Sequence, residues 1–569
     1  LAIDPKLRSH SNGFLRELGI RFENLEDAIS ELNRRVTELE NEVPEDPEDP
    51  EDPEEPDPPV DPGDELTNPS VGVGLGGIQD WSTQWPFLNI AKTARPWTAH
   101  RPGSGWGGIG AAAVKAASGP DGHLLRMPEG ATHVTLIVLT ELPAAMTSAA
   151  GRYRLRWTGA GRPSIAMPNV TYGNGEAWFD YTPRGSGSVM IDIREIDPAD
   201  PIRIESIVHE RHVALFDTGE VLNPEWIAVM RDMRVLRFMD WARTNNSTVA
   251  RWADRATPDS YTWGDENGVP LEVQIEAANR VGADPWFNIP HLADDDYIRR
   301  HAELVKARLD KRLKAFVEYS NEVWNFIFAQ ARWADGEGKN LWPNDAEAWV
   351  RYYALRSTNM ARIYREVFAD APERLEMVLT MHTGWRGLEQ AILYDKQGTD
   401  HPARYHDCYA VTGYFGYGLD ATPWLDLGET EAMNRAFDAL GREVEGLAAT
   451  FAYHKAESDK AGLRMVMYEG GTHVLPANDR VAALYAKMHR DPRMGALYRR
   501  LLEIWRAAGG HEHCLFVAMF RHTLHGYWGM LEHMDDRSPR WDAVTAFNAA
   551  HPGDWEARAP GTFLGTTGG

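Results

Sequence analysis

From residue 217 onward the chain alternates short apolar runs with stretches of helical spacing, and this alternation restricts the fold more than any other feature. The runs Val235-Leu-Arg-Phe-Met239, Pro285-Trp-Phe-Asn-Ile289, Ala315-Phe-Val-Glu-Tyr319, Leu375-Glu-Met-Val-Leu-Thr380, Cys408-Tyr-Ala-Val-Thr412, Met465-Val-Met-Tyr468 and Cys514-Leu-Phe-Val-Ala518 have the length of strands. Helical spacing over 271–282, 294–309, 344–368 and 478–508 separates most of them. Strands joined through helices pair in parallel, because a parallel connection needs a dozen or more residues. With Val71-Gly-Val-Gly-Leu-Gly-Gly-Ile78 as the first strand, eight strands result. The expected fold class is α/β, a (β/α)8 (TIM) barrel.

Residues 118–216 have a different texture. His133–Leu139, Gly151–Trp157, Ala177–Tyr181 and Ser188–Ile193 are short alternating stretches separated by Gly, Pro and Asn. That pattern predicts an antiparallel β-sandwich inserted after the first barrel strand. It reads either as a structural wing or as a small carbohydrate-binding module. The expected segments are therefore 67–117, first strand and following loop; 118–216, sandwich; 217–552, remaining barrel; and 553–569, tail.

Before residue 67 the chain is of another kind. Phe22, Ile29, Val36 and Val43 at position a, with Leu18, Leu25, Leu32 and Leu39 at d, make a heptad seam over 14–43. Arg21 and Arg35 fall at g, and Glu26 and Glu40 at e, where they pair between parallel chains. Residues 1–43 are thus read as an N-terminal coiled coil that makes a homo-oligomer, a trimer or a dimer. Residues 44–66, Pro-Glu-Asp repeated, cannot build a core and read as an extended acidic linker.

The net charge of −25 argues against nucleic-acid binding, which needs a basic face for phosphate contacts, so no nucleic-acid partner is expected. Twelve acidic residues within 45–65 supply about half of that excess, so the charge says little about the barrel. No run approaches the length of a membrane span, and the opening residues are read as lacking a secretory leader. Gly72, Gly74 and Gly77 match G-x-G-x-x-G, but Pro86 stands where the required helix should run, so no dinucleotide site is read there. Cys408 and Cys514 sit in apolar runs and read as buried thiols. His511 and His513, before strand eight, would lie at the end of the barrel away from the chemistry, and neither metal nor cofactor is expected.

In such barrels the chemistry projects from the C-terminal ends of the strands. Strand four is followed by Ser320-Asn321-Glu322-Val323-Trp324, and strand seven by Glu469-Gly470-Gly471. Each delivers a carboxylate to the same mouth. Two carboxyls across a glycosidic bond, one protonated and one ionised, are the machinery of glycosidases.

Asn-Glu after strand four with a second Glu at strand seven resembles clan A of the glycoside hydrolases. That resemblance implies a retaining mechanism, with Glu322 as acid/base, Glu469 as nucleophile and Asn321 on the sugar 2-hydroxyl. It also implies Arg237 beside the nucleophile, Tyr414 donating to it, and Trp528 flooring the sugar nearest the scissile bond. The string Glu318-Tyr-Ser-Asn-Glu-Val-Trp-Asn325 further resembles a bacterial group described as cellulose-binding. By position alone Asp240, Asn245, His291, His382, Trp385 and Trp85 are candidates to line the cleft.

The expected function is retaining hydrolysis of a polysaccharide, β-linked and cut internally. The alternative is a non-catalytic glycan-binding adhesin or receptor-binding protein. Stalk, tether and head together resemble a phage tail fibre or spike, so the expected location is extracellular, on a virion tail or a bacterial surface.

Overall fold

The computed structural model describes residues 70–395 and 401–552. The coiled coil, the acidic linker and the C-terminal tail lie outside the described residues.

Strand β1 (Val71–Gly74) opens the fold. Eight strands then form two antiparallel sheets: β2 (Thr98–His100), β3 (His133–Val138), β4 (Gly151–Thr158), β5 (Ser164–Ile165), β6 (Thr171–Tyr172), β7 (Glu176–Tyr181), β8 (Val189–Ile193) and β9 (Arg203–His209). Their orders are β2-β3-β8-β5 and β6-β7-β4-β9. This β-rich block begins at Thr98 rather than at residue 118, because β2 pairs with β3. Three residues are too few to show alternation, which is why β2 escaped the sequence pattern.

The chain then runs through β10 (Val235–Arg237), β11 (Asp284–Ile289), β12 (Ala315–Tyr319), β13 (Leu375–Thr380), β14 (Cys408–Phe415), β15 (Arg464–Thr472) and β16 (His513–Leu515). With β1 these seven close a barrel in the order β1-β10-β11-β12-β13-β14-β15-β16, every neighbouring pair parallel. The (β/α)8 expectation is met strand by strand.

Alternation sorts the strand residues. Val235, Trp286, Phe316, Val378, Val466 and Tyr468 share one enclosed cluster inside the barrel. Their neighbours Leu236, Phe287, Val317, Leu379 and Met467 join the larger core that includes the surrounding helices. The glycines of β1 have a packing reason. A Cβ on Gly72 would stand 2.6 Å from Cβ of Val235, and one on Gly74 would stand 3.3 Å from the Phe516 ring. Close approach of β1 to its neighbours, not a phosphate, explains the glycine spacing.

Helices fall where spacing placed them, with ends set by caps. Asp294 accepts from the Tyr297 amide and caps the start of the helix Asp295–Arg308. The stretch 478–508 is two helices, Asp479–Arg490 and Pro492–Ala507. Pro492 has no amide to continue the first, and Asp491 caps the second. Among the described residues no helix is long and apolar enough to cross a membrane.

The β-rich block is sewn to the barrel through the loop after β1. Asn89 accepts from the Ile207 amide at 3.0 Å and donates to the Glu205 carbonyl at 3.0 Å. Trp85 lies in the same seam, stacked on Tyr153 of β4 at 6.4 Å and tilted against His209 of β9 at 5.8 Å.

Candidate active site

The site is built on a guanidinium at the end of β10. Arg237 points into the barrel in phase with Val235, and only 1% of its surface is exposed. Its Nη1 donates to Glu469 Oε1 at 2.6 Å. Nη2 donates to Glu318 Oε2 and to Asn321 Oδ1, each at 2.8 Å. Burial opposes a charge here, but Glu318 and Glu469 outweigh that and hold Arg237 above its ordinary pKa.

Glu318 was not read from the sequence as a site residue. It is fully buried on β12 and accepts from four side chains. Oε2 takes Arg237, Trp286 Nε1 at 2.9 Å and Asn288 Nδ2 at 2.8 Å, and Oε1 takes Thr380 Oγ1 at 2.9 Å. A buried carboxylate this well satisfied is a fixed counter-charge, not a reactive group. The one signal available was an acidic residue in the middle of an apolar strand run.

Glu469 reaches the mouth through an irregularity. Val411 pairs with Met467, yet Thr412 pairs with Glu469, so Tyr468 is an extra residue in β15. Val466 and Tyr468 both face the barrel interior. Strict alternation would turn the next side chain outward. The bulge returns Glu469 to the inner face. There its Oε2 accepts from Tyr414 Oη at 2.8 Å.

Glu322 arrives through a turn. Ser320 and Glu322 both have left-handed backbones, with φ of 60° and 43°. Non-glycine residues adopt that conformation at a cost, and such costs gather at functional sites. Asn321 between them is clamped. Its Nδ2 donates to Asn245 Oδ1 at 3.1 Å, and Gln330 Nε2 holds both Asn245 Oδ1 and the Asn321 carbonyl, at 2.7 Å and 2.9 Å. Asn245 is therefore a support for Asn321.

The two carboxyls have unlike surroundings. Burial, then the charge of Glu469, pushes Glu322 up to about 8, against the Asn325 amide, at 3.0 Å, and the more distant charge of Arg237, which pull the other way. Burial raises Glu469 too, but Arg237 and Tyr414 both favour its charged form. Glu469 thus has a donor on each carboxylate oxygen, while Glu322 has, among the described residues, the Asn325 amide alone as a side-chain donor. Burial, then the charges of Glu469 and Glu322, push the Tyr414 phenol well above its usual range, so it stays a donor.

Trp528 packs edge-on to Tyr414 at 6.1 Å and to His473 at 4.4 Å. Its place past β16 thus brings it to the nucleophile's side. His473 was missed because it lies four residues beyond Glu469 with no motif around it. On the other side, a pocket beside Glu322 is lined by Val323, Trp324, Trp349, Thr380 and His382. Trp385 adjoins it, 6.3 Å from the His382 ring. Asp240 follows β10, where burial and then Glu469 push it up to about 6.

Two candidates are corrected. Trp85 is only 5% exposed and packs into the seam with β4 and β9, with Arg211 over its ring at 5.2 Å, because the loop after β1 turns away to the inserted sheets. His291 is buried against Trp333 at 5.3 Å, and none of its described contacts is with Glu322 or Glu469. Its ring is drawn under the helix Ala329–Leu341 that follows β12. Cys408 and Cys514 are buried and unpaired. Among the described residues no group of three or more His, Cys, Asp or Glu could hold a metal ion.

No protein-family model matches the chain, and no curated protein matches it. Solved structures do show similarity. A GH51 arabinofuranosidase from Xanthomonas axonopodis pv. citri is 12% identical with a TM-score of 0.38, covering 57% of this chain and 66% of its own. A GH5-4 broad specificity endoglucanase from Clostridium cellulovorans is 10% identical with a TM-score of 0.34, covering 58% and 87%. An endo-1,4-beta-D-xylanase 10B from Clostridium thermocellum is 10% identical with a TM-score of 0.33, covering 85% and 98%. Likeness at that level leaves the chemistry to be argued from this site's own residues.

Proposed function

We propose that the protein is a glycoside hydrolase that cleaves a polysaccharide by double displacement with retention. The observation that carries this reading is the unequal pair: Glu322, pushed up to about 8, and Glu469, held by Arg237 and Tyr414. A group that must donate a proton near neutral pH needs a raised pKa, and a group that must attack needs donors favouring its charge.

In the first step the Glu469 carboxylate bonds to the anomeric carbon while the bond from that carbon to the leaving oxygen breaks. The Glu322 proton passes to that oxygen, so the leaving sugar departs neutral. In the second step Glu322, now ionised, takes a proton from water, whose oxygen attacks the anomeric carbon and releases Glu469. Retention needs the two carboxyls about 5–5.5 Å apart, close enough for direct attack. Arg237 and Tyr414 receive the Glu469 charge each time it returns. Asn321 is read as the residue that binds the hydroxyl beside the anomeric carbon, a reading supported by its clamping between Asn245 and Gln330.

The finer reading is an endo-acting enzyme on a β-linked glycan, carried on an oligomeric stalk formed by residues 14–43. That context suits a depolymerase on a virion tail or a bacterial surface. The inserted sheets, tied to the barrel through Asn89 and Trp85, are read as two layers of a sandwich that acts as a structural wing. The competing function is an adhesin that holds glycan without cutting it. A panel of soluble polysaccharides, read by new reducing ends and by NMR of the first-formed anomer, separates the two. Binding without new ends supports the adhesin, and an inverted first product removes the double displacement.

A further inference from the structure

Aromatic rings continue outward from the pocket beside Glu322. Trp324 meets the His382 ring edge-on at 4.3 Å, and His382 meets Trp385 edge-on at 6.3 Å. Trp385 lies 5.7 Å from Trp349, which lies 5.9 Å from Phe326. The rings do not form a closed core. Trp349 is buried beneath, while Trp385 is 49% and Phe326 44% exposed. Two large aromatic faces left in water on a shared buried base are not accounted for by folding, since covering them would stabilise the chain.

The chain of rings has a direction. It starts at a pocket lined by Glu322 and runs over the loops after β12 and β13. Tyr414, His473 and Trp528 instead gather around Glu469, from the ends of β14, β15 and β16. The acid must touch the leaving oxygen, so whatever departs lies on the side of Glu322. Resting on the hydrolase reading above, we propose that Trp385 and Phe326 form a binding subsite for the sugar on the leaving side of the scissile bond. The ligand class is a pyranose whose ring hydrogens form a flat apolar face, as in gluco- and xylo-configured β-glycans. Such a face stacks on an indole or phenyl ring, while its equatorial hydroxyls stay in water. An enzyme with a built leaving-side subsite cuts inside a chain and can pass the glycosyl group to a sugar held there instead of to water.

The test uses the full chain with Trp385→Ala, Phe326→Ala, the double variant and Trp385→Phe. Each is assayed on the polysaccharide found by the panel and on the glycosyl fluoride of the same sugar, whose leaving group has no ring. The ratio of kcat/KM on polysaccharide to that on fluoride should fall about tenfold in Trp385→Ala, the size of one aromatic contact. It should fall further in the double variant and return in Trp385→Phe. Transfer to an added acceptor sugar should fall with it. An unchanged ratio overturns the subsite and leaves the hydrolase reading standing. If the wild type turns over neither substrate, the hydrolase reading fails, and the rim is judged by affinity electrophoresis in gels containing carboxymethylcellulose or xylan. Retardation of the wild type but not of the double variant then supports a glycan rim, and equal mobility overturns it.

Discussion

Arg237 donates from Nη1 to Oε1 of Glu469 over 2.6 Å, with 1% of the arginine side chain and 6% of the glutamate side chain exposed to water. Shielding of this degree makes the attraction strong and also makes either partner costly to leave alone. The arginine is secured from behind by Glu318, so its charge is anchored before any substrate enters.

Glu469→Gln should reduce kcat at least about a thousandfold, because an amide cannot form the glycosyl ester. Glu469→Gly with added azide should recover turnover and give a product of inverted configuration. Purified variants assayed with and without azide decide this, and near-normal turnover by Glu469→Gln would remove the mechanism.

Glu322 must hold a proton in the first step, and its pKa is raised to about 8. Activity should therefore persist through neutral pH and decline as pH rises through about 8. Glu322→Gln should abolish that limb and slow substrates with poor leaving groups by about 10²–10⁴. Activated aryl glycosides, which leave without a proton, should be affected least in the first step. A kcat/KM profile against pH for both proteins tests the assignment.

Tyr414→Phe removes the donor to Glu469 Oε2 and with it an influence that favours the carboxylate. The acid limb of the profile, where Glu469 gains a proton, should move to higher pH. Loss of a hydrogen bond to a charged group should lower kcat/KM roughly ten- to a hundredfold. An unmoved acid limb would separate Tyr414 from the nucleophile.

Glu318→Gln leaves Arg237 short of its buried counter-charge and turns an amide toward groups that already donate. Thermal denaturation should show a loss of about 3–5 kcal/mol, the usual result of removing one partner of a buried pair. Glu318 also pushes Glu469 upward, so the acid limb of the variant should shift to lower pH. A stable variant with an unchanged profile would contradict the role given to Glu318.

Deleting residues 1–66 should convert an oligomer into a monomer with normal turnover of small substrates. Light scattering of the two proteins measures this directly, and a shortened protein of unchanged mass would remove the stalk assignment.

Much of this molecule could be read from its letters. Parallel strands bury both faces, so β12 to β16 appear as short apolar runs whose number and spacing define the barrel. Asn321 and Glu322 follow a strand end, and Arg237 stands in phase with Val235, so their place at the mouth needed only local pattern. Trp85 did not follow from pattern. An aromatic residue after β1 serves a cleft or a seam equally well, and the seam exists only because β4 and β9 come back to meet it. The break at Pro492 was visible as a letter, but helical spacing on both sides hid its consequence.

By itself the sequence determined the closed alternation of strands and helices and the presence of an acidic residue at the ends of two of them, because burial periodicity and turn chemistry are local properties. Tertiary structure alone decided that the acidic residues would differ. Glu318 became a silent counter-ion because Trp286, Asn288, Thr380 and Arg237 converge on it from three other strands. Glu469 turned inward because β15 carries one residue more than β14 along their shared ladder. An extra residue is defined only against a partner strand, so no reading of β15 on its own could reveal where that carboxylate points.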